Sequence, residues 1–482
     1  MSFAELMSQI NSWVWGYFMM FVLVGTGIYL TIRLRFIQFR LFRHGWSLIS
    51  GRWDNPQDRG ETTHLQALST ALSATIGTGN IAGVATGLVA GGPGAVFWMW
   101  VTAVFGMCTK GVGAMLSLRF REIDAQGVVA GGPMYYLRNG LHAPWLGWLF
   151  AVCTAVAAFG IGNMVQANSV ADPISNLLGT SAGFEIGGVG FVAYSKLAIG
   201  IVLAVLVAIV IIGGVRRIAR VAEKIVPVMA VLYLLSAIVI LIVRIDAIPA
   251  AFAMIFRDAF SLSSVGGGVL GYTIARAMRF GVEKGLFSNE AGLGSASIAH
   301  ASAKTKEPVR EGLVSMLGPF IDTITICTIT ALVIITSGLL GVSSNDGAAL
   351  SAEAFDAAIP GIGAHLVSFG LVFFAFTTMI GWSYYGDRSV YFLFGHLGKR
   401  AVHVYHCIFV LLIPVGATIQ LKLVWDIAGI FNGLMAFPNL IALLGLSGML
   451  ARMVRDYDNR LPDMKPHREH HDLWFLHLGR KR

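Results

Sequence analysis

Residues 73–83 read SATIGTGNIAG, and this run decides the fold of the chain. It places three glycines, two threonines and one asparagine in the middle of an otherwise apolar stretch, 65–90. Glycine costs about 1 kcal/mol in a helix interior relative to alanine. Irregular backbone at membrane depth is tolerated only where it lines a cavity or is buried in protein. The run therefore predicts a membrane helix that unwinds near its middle.

Two other interpretations of this run are weaker. A dinucleotide-binding loop would need a preceding strand and an acidic residue about 20 positions later, and the sequence has neither. Close helix packing through small residues would explain Gly79 and Gly83. Packing alone does not require Thr75, Thr78 and Asn80 in the same turn, so the broken helix remains the better interpretation.

The composition places this run in a membrane protein. Of 482 residues, 56% are hydrophobic and 13% are charged, whereas soluble domains average about 25% charged residues. A span needs about 20 mostly apolar residues. The predicted spans are 14–32, 65–90, 95–118, 146–170, 197–215, 225–243, 264–281, 313–340, 364–395, 402–420 and 425–451. We expect an all-α integral membrane protein with 11 transmembrane helices in one domain, 1–455, and a polar cytoplasmic tail, 456–482.

The basic residues indicate the orientation of the chain. Most of the 35 Lys and Arg lie in alternate gaps between the predicted spans, beginning with 33–64. Because such residues collect in cytoplasmic loops, the N-terminus is expected outside and the C-terminus in the cytoplasm. Basic loops that face anionic lipid also explain the net charge of +9 without nucleic acid. The first span lacks a basic leader and a cleavage site, so we expect it to be retained.

A second glycine-rich interruption, Gly266–Gly268, falls at the seventh predicted span. It lies five spans after the first, which is typical of an inverted repeat. The two repeats would be 65–243 and 264–451, each with a discontinuous helix, and the helix at 14–32 would lie outside them. The freed N–H groups of such a break attract a carboxylate, and the freed carbonyls coordinate sodium.

Polar residues in three other spans are candidate ligands. Gln166 is a better candidate than Asn163 in the fourth span, although hydrogen bonding between helices would also explain both. Thr378 and Trp382 are four residues apart and share one helix face, which suits an ion ligand beside a pocket wall. The alternative is a threonine bonded to its own helix and an interfacial tryptophan. Asp322 could carry a proton or an ion, or could have a structural role with its neighbouring threonines.

Four motifs together resemble those of the alanine/glycine:cation symporter family. They are SATIGTGNIAGVAT (73–86), AGGPMYYL (130–137), GLFSNEAGLGSA (285–296) and GWSYYG (381–386). The resemblance extends from about residue 60 to about residue 450. It implies the leucine-transporter fold and sodium-driven uptake of small amino acids.

The resemblance also implies roles for individual residues. The substrate-binding residues would be Thr75, Gly77, Thr78, Gly79, Asn80, Gln166, Tyr272, Ile274 and Trp382. The sodium ligands would be the carbonyls of Ser73 and Ile76 and the hydroxyls of Thr377 and Thr378. The N–H groups of Thr78 and Gly79 would receive the substrate carboxylate, and the Thr75 carbonyl the amine. Trp382 would shrink the pocket to the size of alanine or glycine.

The expected function is import of a small neutral amino acid, coupled to sodium by alternating access. For a bacterial source, the location would be the plasma membrane. No enzyme activity or organic cofactor is expected, and sodium is the co-substrate. A proton-coupled or exporting transporter remains the alternative. A channel or an intramembrane protease is disfavoured, because the sequence lacks a pore-lining repeat, an HExxH motif and a paired intramembrane aspartate. Substrate preference and oligomeric state stay open.

Overall fold

The computed structural model describes residues 3–55, 57–124, 127–177, 182–186, 190–260, 270–419, 422–464 and 466. Within these ranges the chain is almost entirely helical. The α-helices up to residue 211 are α1 Phe3–Val14, α2 Tyr17–Arg33, α3 Ile37–Arg40, α4 Phe42–Leu48, α5 His64–Thr75, α6 Val84–Gly91, α7 Gly94–Arg119, α8 Pro133–Asn139, α9 Pro144–Phe159, α10 Val165–Leu177 and α11 Tyr194–Ile211.

The later helices include the longest one in the described chain. They are α12 Gly214–Val243, α13 Ile248–Phe260, α14 Leu270–Asn289, α15 Ala296–His300, α16 Pro308–Pro319, α17 Thr328–Ser337, α18 Gly347–Asp356, α19 Gly363–Phe394, α20 Gly398–Thr418, α21 Lys422–Gly445 and α22 Ser447–Arg460. Short 3₁₀ turns occupy Ile245–Ala247, Gly395–Leu397 and Leu461–Asp463.

Wider, π-helical turns interrupt three of the long helical stretches. They are Gly79–Gly83 between α5 and α6, Gly160–Met164 between α9 and α10, and Phe320–Cys327 between α16 and α17. Two small antiparallel hairpins complete the described structure. They pair β1 Glu122–Ile123 with β2 Val129–Ala130, and β3 Gly183–Ile186 with β4 Gly190–Ala193.

Nine helical stretches among the described residues are long and apolar enough to cross a membrane. A tenth candidate is the pair His64–Thr75 and Gly79–Gly91, whose halves are bent by 55°. The predicted seventh span is described only as α14, which begins at Leu270. The glycines at 266–268, where the second break was predicted, lie outside the described residues.

One predicted loop is helical instead. The gap 216–224 was expected to be a basic loop, but it forms the first turns of α12. Val215, Ile218, Ala219 and Ala222 are buried there, which is the spacing of an amphipathic helix. The neighbouring arginines are exposed on the opposite face. The basic residues of this gap therefore did not predict its local structure.

The broken helix begins with a capping box. The hydroxyl of Thr63 accepts the N–H of Gln66 at 3.2 Å, and the Gln66 side chain accepts the Thr63 N–H at 3.1 Å. These bonds satisfy two of the donors that every helix start leaves unpaired. Beside it, α7 and α16 cross closely at Gly111, where an added Cβ would lie 2.8 Å from the Gly312 carbonyl oxygen. Small residues thus set the helix spacing around the break.

Candidate substrate and sodium site

The hydrogen bonds of α5 change at its last residue, Thr75. Ile76 follows with an extended backbone (φ −74°, ψ 96°). The N–H of Gly77 donates to Asn80 Oδ1 at 2.8 Å, although a continuous helix would direct it to the Ser73 carbonyl. The Asn80 N–H donates to the Gly77 carbonyl at 3.2 Å, and no longer to that of Ile76. The carbonyls of Ser73 and Ile76 are therefore both separated from their helical donors.

Helix α19 brings a hydroxyl to this gap. Thr378 is buried, and its Oγ1 donates to the Ile76 carbonyl at 3.4 Å. A Cβ on Gly77 would overlap Thr378 Oγ1 and would lie 3.6 Å from the Oε1 of Gln166. A freed carbonyl, a hydroxyl and an amide oxygen thus meet around one glycine. Oxygen atoms of this kind are the ligands that a hard cation takes at a broken helix.

The second predicted hydroxyl has a different orientation. Thr377 Oγ1 donates to the Phe374 carbonyl at 3.0 Å and lies 3.5 Å from the sulfur of Met229 on α12. The structure therefore brings Thr378 to the break and directs Thr377 toward α12. Adjacent residues of an α-helix point about 100° apart, and in this conformation the two hydroxyls take different acceptors.

Two of the predicted substrate residues have buried oxygens without a hydrogen-bond partner in the described structure. They are the hydroxyl of Thr78 and the Oε1 of Gln166. The Gln166 amide nitrogen is satisfied, because it donates to the Ile161 carbonyl at 3.0 Å. Buried polar atoms are nearly always paired. Two unpaired acceptors beside the break are therefore suited to a ligand that carries N–H donors.

Trp382 lies one turn after Thr378 on α19 and is 1% exposed. Its ring packs edge-on against Tyr385, with centroids 5.5 Å apart. A Cβ on Gly162, in the π-helical turn Gly160–Met164, would overlap the Trp382 side chain. The indole is thus fixed from two sides, as a rigid pocket wall would be.

The two predicted residues of α14 are described in less detail. Tyr272 is helical, but its side chain lies outside the described atoms, and Ile274 is half-buried. The same helix reaches the break further along. A Cβ on Gly79 would lie 3.3 Å from the ring of Phe287 and 3.4 Å from the Cα of Ser288. The predicted set did not include these two residues.

Asn80 also joins the break to a buried carboxylate. Its Nδ2 donates to Asp322 Oδ1 at 2.7 Å. The other oxygen, Oδ2, accepts Ser288 Oγ at 2.8 Å and Thr323 Oγ1 at 2.7 Å. Asp322 is fully buried. The only sequence signal for Ser288 was its place in motif 285–296, and no role had been assigned to that motif.

Comparison with known sequences decides the family. The profile of the sodium:alanine symporter family matches residues 1–471. The chain belongs to the sodium:alanine symporter family. It is 47% identical over 465 residues to the sodium/alanine symporter AgcS of Methanococcus maripaludis, covering 95% of this chain and 98% of that one. The resemblance predicted from the four motifs is thus confirmed.

More distant relatives carry other names. The amino-acid carrier protein AlsT of Bacillus subtilis is 34% identical over 455 residues, which covers 94% of this chain and 92% of that one. The probable sodium/glutamine symporter GlnT of the same organism is 34% identical over 447 residues, covering 93% and 89%.

A solved structure supports the fold. MhsT, of the leucine-transporter fold and crystallised with L-phenylalanine, superposes with a TM-score of 0.51 at 14% identity. The match covers 82% of this chain and 99% of MhsT. Together, these comparisons make the chain a multi-pass membrane transporter of a symporter family, in which sodium is the co-substrate and an amino acid is carried.

Proposed function

We propose that the chain imports alanine or glycine together with sodium, by alternating access across a bacterial plasma membrane. One observation carries the proposal. The Gly77 N–H is bonded to Asn80 Oδ1, which separates the Ser73 carbonyl from its helical donor beside the Thr378 hydroxyl. A transporter that needs no covalent chemistry requires only such a site and a way to open it to each side.

Sodium would lie between α5 and α19. The proposed ligands are the carbonyls of Ser73 and Ile76 with the hydroxyl of Thr378. Thr377 would complete the set after a change of its side-chain rotamer. A hydroxyl presents lone pairs to the ion once its proton rotates away from the Ile76 carbonyl.

The amino acid would lie next to the ion in the same break. Thr78 and Gly79 would present N–H groups to its carboxylate, where the following half-helix begins. Its amine would meet the Thr75 carbonyl and the unpaired oxygens of Thr78 and Gln166. Gly77 and Asn80 would shape the floor of the site, and Tyr272 and Ile274 would close it from α14.

Size selection would come from Trp382. Its buried ring packs against Gly162 and Tyr385, and these contacts hold the ring in place. The relative named as a glutamine symporter shows that family membership alone does not fix the substrate. Alanine and glycine are therefore proposed from the wall and from the 47% identical relative, whose name specifies alanine.

Coupling follows from a shared closed arrangement. Sodium and substrate each stabilise it, so each raises the affinity for the other by the same factor. The membrane potential adds about 2.3 kcal/mol per charge per 100 mV in favour of sodium entry. We further propose 11 spans with an outside N-terminus, two inverted repeats at 65–243 and 264–451, a peripheral first helix and a cytoplasmic tail, 456–482.

Uptake into proteoliposomes tests this function. Labelled alanine and glycine should accumulate under an inward sodium gradient and not under a choline gradient. Excess unlabelled leucine should not compete, because the Trp382 wall excludes it. Accumulation that is equal in choline would refute sodium coupling, and efficient competition by leucine would refute the size limit.

Proton coupling is the second candidate, and Asp322 favours it. This carboxylate is buried and is bonded to Asn80, which itself fixes the Gly77 N–H. A proton on Asp322 would remove one acceptor of its hydrogen bonds. Through Asn80, this change would alter the position of the Gly77 N–H at the break. Alanine uptake driven by an inward pH gradient in sodium-free buffer, and lost in Asp322→Asn, would favour this candidate over sodium.

A further inference from the structure

Two histidines share one buried carboxylate at the start of the broken helix. His64 Nδ1 lies 2.5 Å from Glu311 Oε2, and His300 Nδ1 lies 2.6 Å from Glu311 Oε1. All three side chains are at most 1% exposed. They come from α5, α16 and α15, and we call these three residues the cytoplasmic clamp, after the side on which the proposed orientation places them.

The clamp lies beneath a set of backbone contacts that close this end of the molecule. The Glu61 N–H donates to the Ser302 carbonyl at 2.8 Å, and the Lys304 N–H donates to that of Thr62 at 2.7 Å. Arg121 reinforces this closure with hydrogen bonds to four backbone carbonyls. They belong to Arg59, Ala301, Ala303 and Thr305. Opening the site to this side must separate these segments and expose the clamp.

The hydrogen bonds define how many protons the clamp holds. A carboxylate can only accept, so each imidazole donates its Nδ1–H to Glu311. The Nε2 atoms of His64 and His300 are buried without a hydrogen-bond partner in the described structure. With both rings neutral, the buried carboxylate of Glu311 would have no ion-pair partner within 4.0 Å among the described residues, which is unfavourable. One additional proton, on either Nε2, supplies that partner.

Other charges surround the clamp without replacing that proton. Asp54 Oδ1 lies 3.9 Å from His64 Nε2 and adds negative charge. Arg310, next to Glu311 in the sequence, places its guanidinium 4.9 Å from the centre of the Trp53 ring. Arg121 keeps its positive charge while it donates to backbone carbonyls, and it attracts Glu311 without forming an ion pair with it in the described structure. On α12, Glu223 accepts the amide of Gln66 at 2.9 Å, one turn from the clamp.

We propose that the cytoplasmic clamp is a proton-binding site that locks the inward-closed state of the transporter. The proton is bound while the two imidazoles and the carboxylate are buried together, and it is released when opening hydrates them. A hydrated histidine has a pKa of about 6.5. By linkage, the ratio of open to closed molecules rises with pH above that value, by up to about tenfold per unit for one proton.

Cysteine labelling measures this ratio directly. Ser302→Cys, in a Cys407→Ser background, places a thiol in the buried contact with Thr62. Its rate of reaction with an impermeant maleimide is followed from pH 6.5 to 8.5 in lipid nanodiscs. Ser50→Cys, at an exposed position, corrects for the pH dependence of the thiol itself. We expect the corrected rate to rise about tenfold per pH unit, and a flat rate would overturn the proposal.

Clamp variants provide the second arm of the experiment. His64→Gln with His300→Gln, and separately Glu311→Gln, should make the corrected rate independent of pH. His142→Asn, at an exposed position with a left-handed backbone, should keep the wild-type slope. His44 does not complicate the range, because burial and Arg310 lower its pKa to about 4. An unchanged slope in both clamp variants would overturn the proposal.

The inference rests on the alternating access of the proposed function, but the two can fail separately. Labelling needs no substrate and no sodium. Uptake that is independent of sodium, together with an intact labelling slope, would refute the proposed coupling and leave the proton site standing. Sodium-coupled uptake with a labelling rate that does not change with pH would refute the proton site and leave the proposed coupling standing.

Discussion

The two halves of the broken helix are attached to the protein by different forces. The half that begins at His64 has a capping box and a shared buried carboxylate. The half that begins at Gly79 is held by Asn80, whose Nδ2 donates to Asp322 Oδ1 at 2.7 Å, and by Ser351 on α18, which donates to the Ile81 carbonyl at 3.0 Å. At Gly83, an added Cβ would meet nothing within 4 Å.

This difference assigns a task to each half. The first half is anchored by buried polar groups, whose separation is costly unless a proton or water compensates them. The second half is tied through Asn80 to Asp322, so any tilt of this half moves that buried contact. Between them, the break at Gly77 acts as the joint, and ligands that bridge it can set the angle. Four substitutions test this comparison, in decreasing order of expected effect.

Gly77→Ala should abolish transport. The new Cβ would overlap Thr378 Oγ1 at the joint, and such overpacking costs up to about 3 kcal/mol, which corresponds to about 100-fold in affinity. Initial rates of sodium-driven alanine uptake measure the loss. Gly83→Ala is the matched control, because it adds the same methyl group to open space and should transport normally. Normal uptake by Gly77→Ala would contradict the crowded joint.

Thr378→Ala should weaken sodium binding about tenfold, because it removes one charge-assisted contact worth about 1.5 kcal/mol. The apparent KM for sodium in alanine uptake reports the change. Thr377→Ala should shift this constant less than threefold, since its hydroxyl is directed to Phe374. Equal effects of the two substitutions would show that both hydroxyls reach the ion.

Thr63→Ala should lower stability and leave the site intact. Loss of an N-terminal cap costs about 1 kcal/mol, and here it loosens only the anchored half. The melting temperature of the purified protein should fall, while its affinity for alanine stays within twofold. Ser50→Ala, which removes an exposed local hydrogen bond, is the control and should leave the melting temperature unchanged. A large loss of alanine affinity in Thr63→Ala would refute independent halves.

Ser351→Ala should have the smallest effect. It removes one neutral hydrogen bond, worth about 0.5 kcal/mol net, from the second half of the broken helix. We expect a change of about twofold in the maximal rate of alanine uptake. Ser236→Ala, on α12, removes a hydrogen bond to its own helix and should be silent. Complete loss of transport in Ser351→Ala would mean that this contact holds the second half far more strongly than its geometry indicates.

The sequence predicted the position of the break because glycines and polar residues in an apolar run have few other uses. It also predicted the family, because the four long motifs can be recognised from the sequence alone. For Asp322 it indicated the neighbouring Thr323 as a partner, but it could not predict the distant ones. Asn80 and Ser288 lie 242 and 34 residues away, and a single sequence contains no record of which distant side chains meet.

The cytoplasmic clamp was missed for a related reason. His64 and Glu311 lie just before the first residues of two predicted spans, 65–90 and 313–340, where charged residues are expected in any membrane protein. Their burial is a property of the packing of α5, α15 and α16. The bond of the Thr377 hydroxyl to the Phe374 carbonyl is a rotamer choice that the sequence does not contain, so its place among the sodium ligands stays a prediction.

The three wide turns have a consequence for how such a protein can vary. Each contains one residue more than an α-helical turn would use, so deleting that residue would straighten the helix without shortening any loop. Everything beyond the deletion would rotate by about 100° about the helix axis. Deletion of Phe320 or Ile321 would thus rotate Asp322 away from Asn80. The number of residues in this turn therefore sets the contact between Asn80 and Asp322 as much as the identity of the two side chains does.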